Sequence, residues 1–408
     1  MTATFAARAL ATLLLTGSAA LAAAQSVPPD LYQQALQSIA EGRNSDASDM
    51  LMRVIDNEPQ HAGAWLEVAL IQCSLGHADE AERLFTAIEA RFSPPPGIME
   101  LIEDARNKGC DHWQVHSQGS FTAGRGIDQN VNQGAANGNF TVIADGVPIN
   151  VPLTADFQPK HDQYTVIGGE YLRDISPNGS IGFAQLQARR NDNLHQYDSA
   201  SLFVGAETPW RFGRWTLRST SMLGLVGLGG QLFQRHAQFQ ARVGPPIPLP
   251  GSTQFHLIGG FSHVDYRTLS NFDSNTGELK GQFSYRGDAL SASLTSGYLN
   301  DHAIGDRPGG NRHGWLNSLQ LRRALDFGAT GELGYVRQSW QSALPYSPGV
   351  IDTVRGQVTH VLRGTLIYPL AKNHNLQIEA RQIWNRENIS IFQYNNRILQ
   401  VSWQWNGL

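Results

Sequence analysis

Leu376-Gln-Ile-Glu-Ala-Arg381 is the stretch on which the reading of this chain turns. Successive side chains of an extended strand point to opposite sides, so Leu376, Ile378 and Ala380 share one face and Gln377, Glu379 and Arg381 the other. The same period of two runs through Phe233 to Val243, where Ala237, Phe239 and Ala241 alternate with His236, Gln238, Gln240 and Arg242. It returns near the end, where Leu399, Val401, Trp403 and Trp405 alternate with Gln400, Ser402 and Gln404. One face is apolar and aromatic, and the other carries glutamine, arginine and serine.

From residue 113 onward the pattern recurs in about 14 segments of about 12–15 residues, longer than soluble strands and long enough for tilted membrane strands. The first spans 113–127 and the last 391–405. Loop lengths separate a membrane barrel from a soluble sandwich. Ser176-Pro-Asn-Gly179, Arg286-Gly-Asp288, Asp326 to Gly328 and Ala371 to His374 read as tight turns, whereas the gaps 128–160, 301–311 and 343–352 are long and have the opposite parity. An even, up-and-down barrel has this asymmetry, with long outer loops and short periplasmic turns. Pro245 to Gly251 is the one rather long connection on the short side. Most tryptophans, among them Trp113, Trp210, Trp215, Trp315, Trp340, Trp384, Trp403 and Trp405, fall near strand ends, as an interfacial girdle requires.

Composition agrees. The chain has 408 residues, 41 glycines and only 16% charged residues, with a mean hydropathy of -0.30. After residue 25 no apolar run approaches the ~20 residues of a spanning helix. A formal charge of -4 excludes a nucleic-acid partner read from bulk charge. That total conceals two objects: residues 25–112 hold 15 acidic against 6 basic residues, and 113–408 hold 20 against 24. Only three of those 24 are lysines, Lys160, Lys280 and Lys372, which favours fixed, hydrogen-bonded cations.

Residues 1–24 read as an export signal, with Arg8 ahead of an apolar Ala9 to Leu15 and the small-residue site Ala22-Ala23-Ala24. Export makes disulfides available, and Cys73 and Cys110 are the sole pair, either bridged or two buried thiols. Residues 25–112 form an acidic helical domain. Within it Leu31, Ala35, Gly42, Ala47 and Leu51 lie 34 positions before Trp65, Ala69, Gly76, Ala81 and Phe85, the tetratricopeptide period. The expected architecture is therefore an all-α, tetratricopeptide-like domain followed by an all-β, antiparallel transmembrane barrel over 113–408. The helical domain reads either as a docking groove for a client, with apolar contacts from Leu66 and Leu70, or as a plug under the barrel.

Alternation assigns Arg189, Arg242, Arg355, Gln357, Arg363, Glu379 and Arg381 to the lumen, which predicts a polar, on balance cationic pore. A barrel of this size is too wide for side chains alone to fill. No catalytic, metal or cofactor signature is present, so the expectation is a non-enzymatic protein. His263 and Asp265, with Ser262, are the least poor hydrolytic set, and Arg286-Gly287-Asp288 reads as turn chemistry.

Gly124-Arg-Gly-Ile-Asp-Gln-Asn-Val-Asn132, leaving the first strand, and Asn388-Ile-Ser-Ile-Phe-Gln-Tyr394, in the last hairpin, resemble segments of the surface lipoprotein assembly modifier (Slam) family. With the signal, short helical array and barrel, the similarity extends over most of the mature chain. It departs in its short array and in the ending Asn406-Gly407-Leu408. The resemblance implies a monomeric outer-membrane translocon with a periplasmic N-terminal domain, moving a lipoprotein or other secreted client to the cell surface, with segment 128–160 gating. The alternative is a diffusion or exopolysaccharide-export pore. Lipid and a periplasmic protein client are the implied partners.

Overall fold

A computed structural model describes residues 31–40, 44–110, 115–144, 147–176, 179–212, 215–247, 249, 252–287 and 289–407. The export signal, Trp113 and Asp288 lie outside the described residues. Five helices come first: α1 (Leu31–Ala40), α2 (Asn44–Asn57), α3 (Ala62–Ser74), α4 (Ala78–Phe92) and α5 (Pro96–Lys108). Among the described residues no helix is long and apolar enough to cross a membrane.

The 34-residue spacing has a packing cause. Ala35, Ala69, Ala47 and Ala81 are all fully buried, and a methyl side chain lets neighbouring helices approach closely. Leu51 and Phe85, and Val54 and Ile88, occupy equivalent core places one period apart. Cys73 and Cys110 are disulfide-bonded, which ties the end of α5 to α3. Arg106 of α5 reaches across to α4, with Nε 2.9 Å from one oxygen of Glu82 and Nη1 2.6 Å from Glu89. The Arg106 hydrogen bond holds the Glu82 carboxyl below its ordinary value of 4.5. A carboxylate lowered on folding contributes stability above that ordinary value and loses it as pH falls through the lowered one. Hydrogen exchange in α5, corrected for intrinsic rate, is therefore expected to be faster relative to α3 at about pH 3 than at about pH 6. An unchanged ratio would show that Arg106 does not hold α5.

The rest is a closed antiparallel barrel of fourteen strands, ordered as in the chain and sealed by the first against the last. Its members are β1 (Ser117–Asp128), β4 (Asp162–Asp174), β5 (Ile181–Asn191), β6 (Ser199–Phe212), β7 (Trp215–Leu228), β8 (Gln231–Gly244) and β9 (Thr253–Tyr266). Then follow β10 (Ser274–Arg286), β11 (Leu290–Ala303), β12 (Arg312–Ala324), β13 (Thr330–Ser347), β14 (Ile351–Ala371), β15 (His374–Glu387) and β16 (Tyr394–Gly407). A hairpin of β2 (Asn139–Ala144) and β3 (Val147–Pro152) stands in the first loop.

The two faces sort by parity. Leu223, Phe239, Leu279 and Leu294 on one face are open, Leu279 at 64% exposure. Buried wall residues such as Tyr164, Ile258, Leu299, Asp301 and Asn385 all belong to the other parity, which is therefore the lumen face. A closed sheet wearing an apolar belt satisfies every ladder hydrogen bond internally, the condition for crossing a bilayer. Trp210, Trp215 and Trp403 stand on the open face near one end of the barrel, and Trp315 near the other.

The gap 343–352 is not a loop. β13 and β14 extend through it to a turn at 348–350, so this hairpin rises above its neighbours. Segment 128–160 likewise contains the β2–β3 hairpin. Both termini of the barrel lie at the end with short turns, hereafter the turn end, and the opposite end is the loop end.

Candidate functional site: the barrel lumen

Register fixes which side chains face inward. Arg363 pairs with Arg381 and Thr365 with Glu379, on the parity opposite to the open Leu362 and Ile378, and Gln357 pairs with Glu387. Arg189 stands two residues from buried Asn191, and Arg242 lies opposite Arg218 and Ile258. Arg189, Arg242, Arg355, Gln357, Arg363, Glu379 and Arg381 thus share the inward face.

Their charge is largely spoken for. Arg189 is 2.8 Å from Asp128, Lys280 2.6 Å from Glu278, Arg355 2.6 Å from Glu387 and Arg381 2.7 Å from Glu379. For Arg242 and Arg363, among the described residues, no carboxylate lies within ion-pair distance. The lumen wall is therefore mostly a paired network, in which Arg242 and Arg363 are the two inward arginines without a carboxylate partner among the described residues. Three arginines are also stacked on aromatic rings: Arg189 on Tyr164 at 3.8 Å, Arg312 on Trp340 at 4.5 Å and Arg355 on Phe392 at 4.4 Å. A guanidinium held by a carboxylate and a ring has few rotamers left, so these cations are fixed. Trp340 is the exception to the girdle reading, since it faces inward.

Toward the turn end the lumen holds a cavity of about 300 Å³, lined by Arg218, Arg242, Glu207, Gln185 and Gln240 with Phe183. Arg218 binds Glu207 at 2.6 Å and also meets Asp46 of α2. The helical domain is thus seated against the turn end of the barrel. Leu66 is buried in the helical core and Leu70 packs partly against it, so neither stands in an open groove.

At the loop end the segment 124–132 is a tether. Asn130 donates from Nδ2 to the carbonyls of Gly134 and Asn395, both at 2.9 Å, and accepts from Gly134 N–H at 2.7 Å. Asn132 donates to the carbonyl of Gln158 at 2.8 Å and accepts from Lys160 N–H at 2.9 Å. Ala136 N–H donates to the carbonyl of Gln393 at 2.7 Å. The first loop is therefore pinned to the last hairpin, through Asn130 to Asn395 and through Ala136 to Gln393.

Three loop-end connections share a device that single-strand reading missed. Short 3-10 turns at His195–Tyr197, Ser270–Phe272 and Ser390–Phe392 each precede the next strand. In the first two, Asp198 and Asp273 each accept a backbone N–H seven residues back, from Asn191 and Tyr266, at 2.7 Å. The spacing of an aliphatic residue, then an aromatic three positions on, then Asp-Ser (Leu194, Tyr197, Asp198, Ser199; Leu269, Phe272, Asp273, Ser274) was the available signal.

Ser262 faces inward while His263 and Asp265 face outward, because they are of opposite parity. His263 instead shares a hydrogen bond with Asn275 at 2.9 Å. Gly287 N–H bonds to the carbonyl of Leu290 at 2.8 Å, closing the turn at the Arg286-Gly287 step.

No protein-family model matches the chain, and no characterised protein matches it in sequence. Its barrel is similar to solved outer-membrane proteins. The outer membrane protein opdK from Pseudomonas aeruginosa aligns at 8% identity and a TM-score of 0.37, over 72% of this chain and 99% of that one. An anion-selective porin from Comamonas acidovorans aligns at 10% identity and a TM-score of 0.38, over 72% and 99%. A bacterial polysaccharide outer membrane secretin aligns at 8% and 0.37, over 72% and 100%.

Proposed function

We propose that the chain is a non-enzymatic outer-membrane channel for small polar solutes, with a weak preference for anions and with its helical domain on the periplasmic side. The observation that carries this reading is the closed barrel itself: an exposed apolar belt outside and a hydrogen-bonded polar face inside. Arg242 and Arg363 supply the uncompensated positive potential, which concentrates anions in a narrow low-dielectric passage. The inward positions Gln185, Gln240, Thr220 and Gln357 offer neutral hydrogen bonds that replace part of a solute's hydration.

The helical domain acts as a partial plug, since α2 reaches Arg218 at the edge of the turn-end cavity. Full-length protein in liposomes is expected to support swelling in small neutral sugars, and Asp46→Ala to raise the rate about threefold by loosening the seat. Swelling no faster than in protein-free liposomes would refute the channel, and an unchanged rate in the variant would refute the plug.

A second reading is delivery of a secreted client, as the family resemblance implies. The direct contact between α2 and the barrel favours coupling of a periplasmic domain to the lumen. Deleting residues 27–108 should then abolish surface display of a co-expressed lipoprotein while the barrel still inserts. Unaffected display would remove this reading.

A further inference from the structure

At the loop end, on the inward side of β11 to β15, three guanidinium groups converge on one cleft. Arg307, in the β11–β12 connection, is 3.0 Å from Asp301 Oδ2, and Arg312 places Nε 2.5 Å from the same oxygen. Arg355 binds Glu387 side-on, through Nε at 3.0 Å and Nη2 at 2.6 Å. That geometry leaves donors over. The two terminal nitrogens of Arg312 and Nη1 of Arg355 have no hydrogen-bond partner among the described residues. Both side chains line a cleft of about 30 Å³ together with Ser342, Gln357, Trp340 and Phe272. The Trp340 and Phe392 rings lie 4.5 and 4.4 Å from the guanidinium carbons of Arg312 and Arg355 and restrict their movement.

Charge and size then limit the occupant. Three cations face two carboxylates, so the cluster carries one surplus positive charge, which a monoanion neutralises and a phosphate dianion would overshoot. The volume is that of a small charged group, not of a whole solute. Planar forked donors suit the two oxygens of a carboxylate, with Ser342 and Gln357 available to a neighbouring hydroxyl.

We propose that this cleft binds the carboxylate of a small polyhydroxylated monoanion, an acidic sugar in chemical class, presented from the loop end. The proposal rests on the reading of the lumen as open to solutes. Phe272, which lines the cleft, and Phe392, which packs on Arg355, come from two of the 3-10 turns, so those turns shape the site as well as the strand entries.

Calorimetry on the full-length protein in detergent micelles tests it, with glucuronate, glucose and inorganic phosphate as probes at one ionic strength. Glucuronate is expected to bind saturably, glucose not at all and phosphate more weakly. Arg312→Gln is expected to weaken glucuronate about tenfold and Arg312→Lys less, because lysine keeps the charge and loses the fork. Equal binding of glucuronate by wild type and Arg312→Gln, or equal binding of glucose, overturns the proposal, as does no glucuronate binding by the wild type. Should Arg312→Gln fail to fold, Arg355→Lys removes the other free edge while keeping the charge beside Glu387, and undiminished binding there overturns it equally. Conductance is read separately on the same preparation. A barrel that conducts without binding glucuronate sinks the site alone, and one that binds without conducting sinks the channel reading alone.

Discussion

Gly126→Ala is expected to destabilise the barrel by about 2 kcal/mol, and Tyr164→Ala by about 3–5 kcal/mol, yet the double variant should cost clearly less than their sum. A Cβ on Gly126 would stand 2.3 Å from the Tyr164 ring, closer than side-chain atoms approach. That ring has nowhere to go. Its hydroxyl donates to Gln400 at 3.1 Å, Arg189 covers it at 3.8 Å, and Arg189 is itself held by Asp128. Tyr164, only 3% exposed, thus bridges from β4 over the bare backbone of β1 to β16. It lies across the seam where the first strand meets the last. Removing the ring leaves a void and an unstacked arginine, while removing ring and glycine together lets the new methyl enter vacated space. Urea unfolding in lipid vesicles, followed by tryptophan fluorescence, measures all three. Strict additivity would mean that the ring does not seal the seam.

Asp301→Ala has the other large expected effect, about 3–5 kcal/mol, because it strands a buried cation. Asp301 is 0% exposed and Arg307 4%, whereas Arg312 is 35% exposed and can turn to water. Arg312→Ala should accordingly cost no more than about 1 kcal/mol, since Asp301 keeps Arg307. The damage should also be local. Arg307 donates to the carbonyl of Gly310 at 2.9 Å, which folds the 304–311 connection onto the rim. Limited proteinase K digestion of Asp301→Ala is expected to cut within the 304–311 connection while the strands stay protected, and resistance equal to wild type would contradict the role given to this pair.

Much of this was legible in the chain. Alternation such as that of Leu376 to Arg381 located the barrel strands, because a period of two is local and does not depend on which strand lies alongside. The partners were not legible, since which carboxylate meets Arg189 or Arg355 depends on stagger between strands: Asp128 and Glu387 stand outside the strands of their arginines. The seam was hidden for the same reason, with Gly126, Tyr164 and Gln400 far apart in sequence and adjacent only when the barrel closes. Residues 343–352 were read as a loop because Pro345, Ser347, Pro348 and Gly349 are turn-formers, but the β13–β14 pairing overrides that tendency through Pro345 and Ser347. In the helical region the 34-residue spacing located the core, whereas the burial of Leu66 was not legible because α3 is apolar nearly all round and its faces are not told apart by pattern.

The proposed function requires a polar lumen that runs through the closed barrel and leans toward anions. Single-channel recording of the full-length protein in a planar bilayer under a potassium chloride gradient tests it most directly. Discrete conductance steps are expected, with a reversal potential of the sign for chloride that moves toward zero when Arg242 and Arg363 are both changed to glutamine. Membrane-inserted protein that gives no steps, or steps whose reversal potential is indifferent to those two arginines, would contradict it.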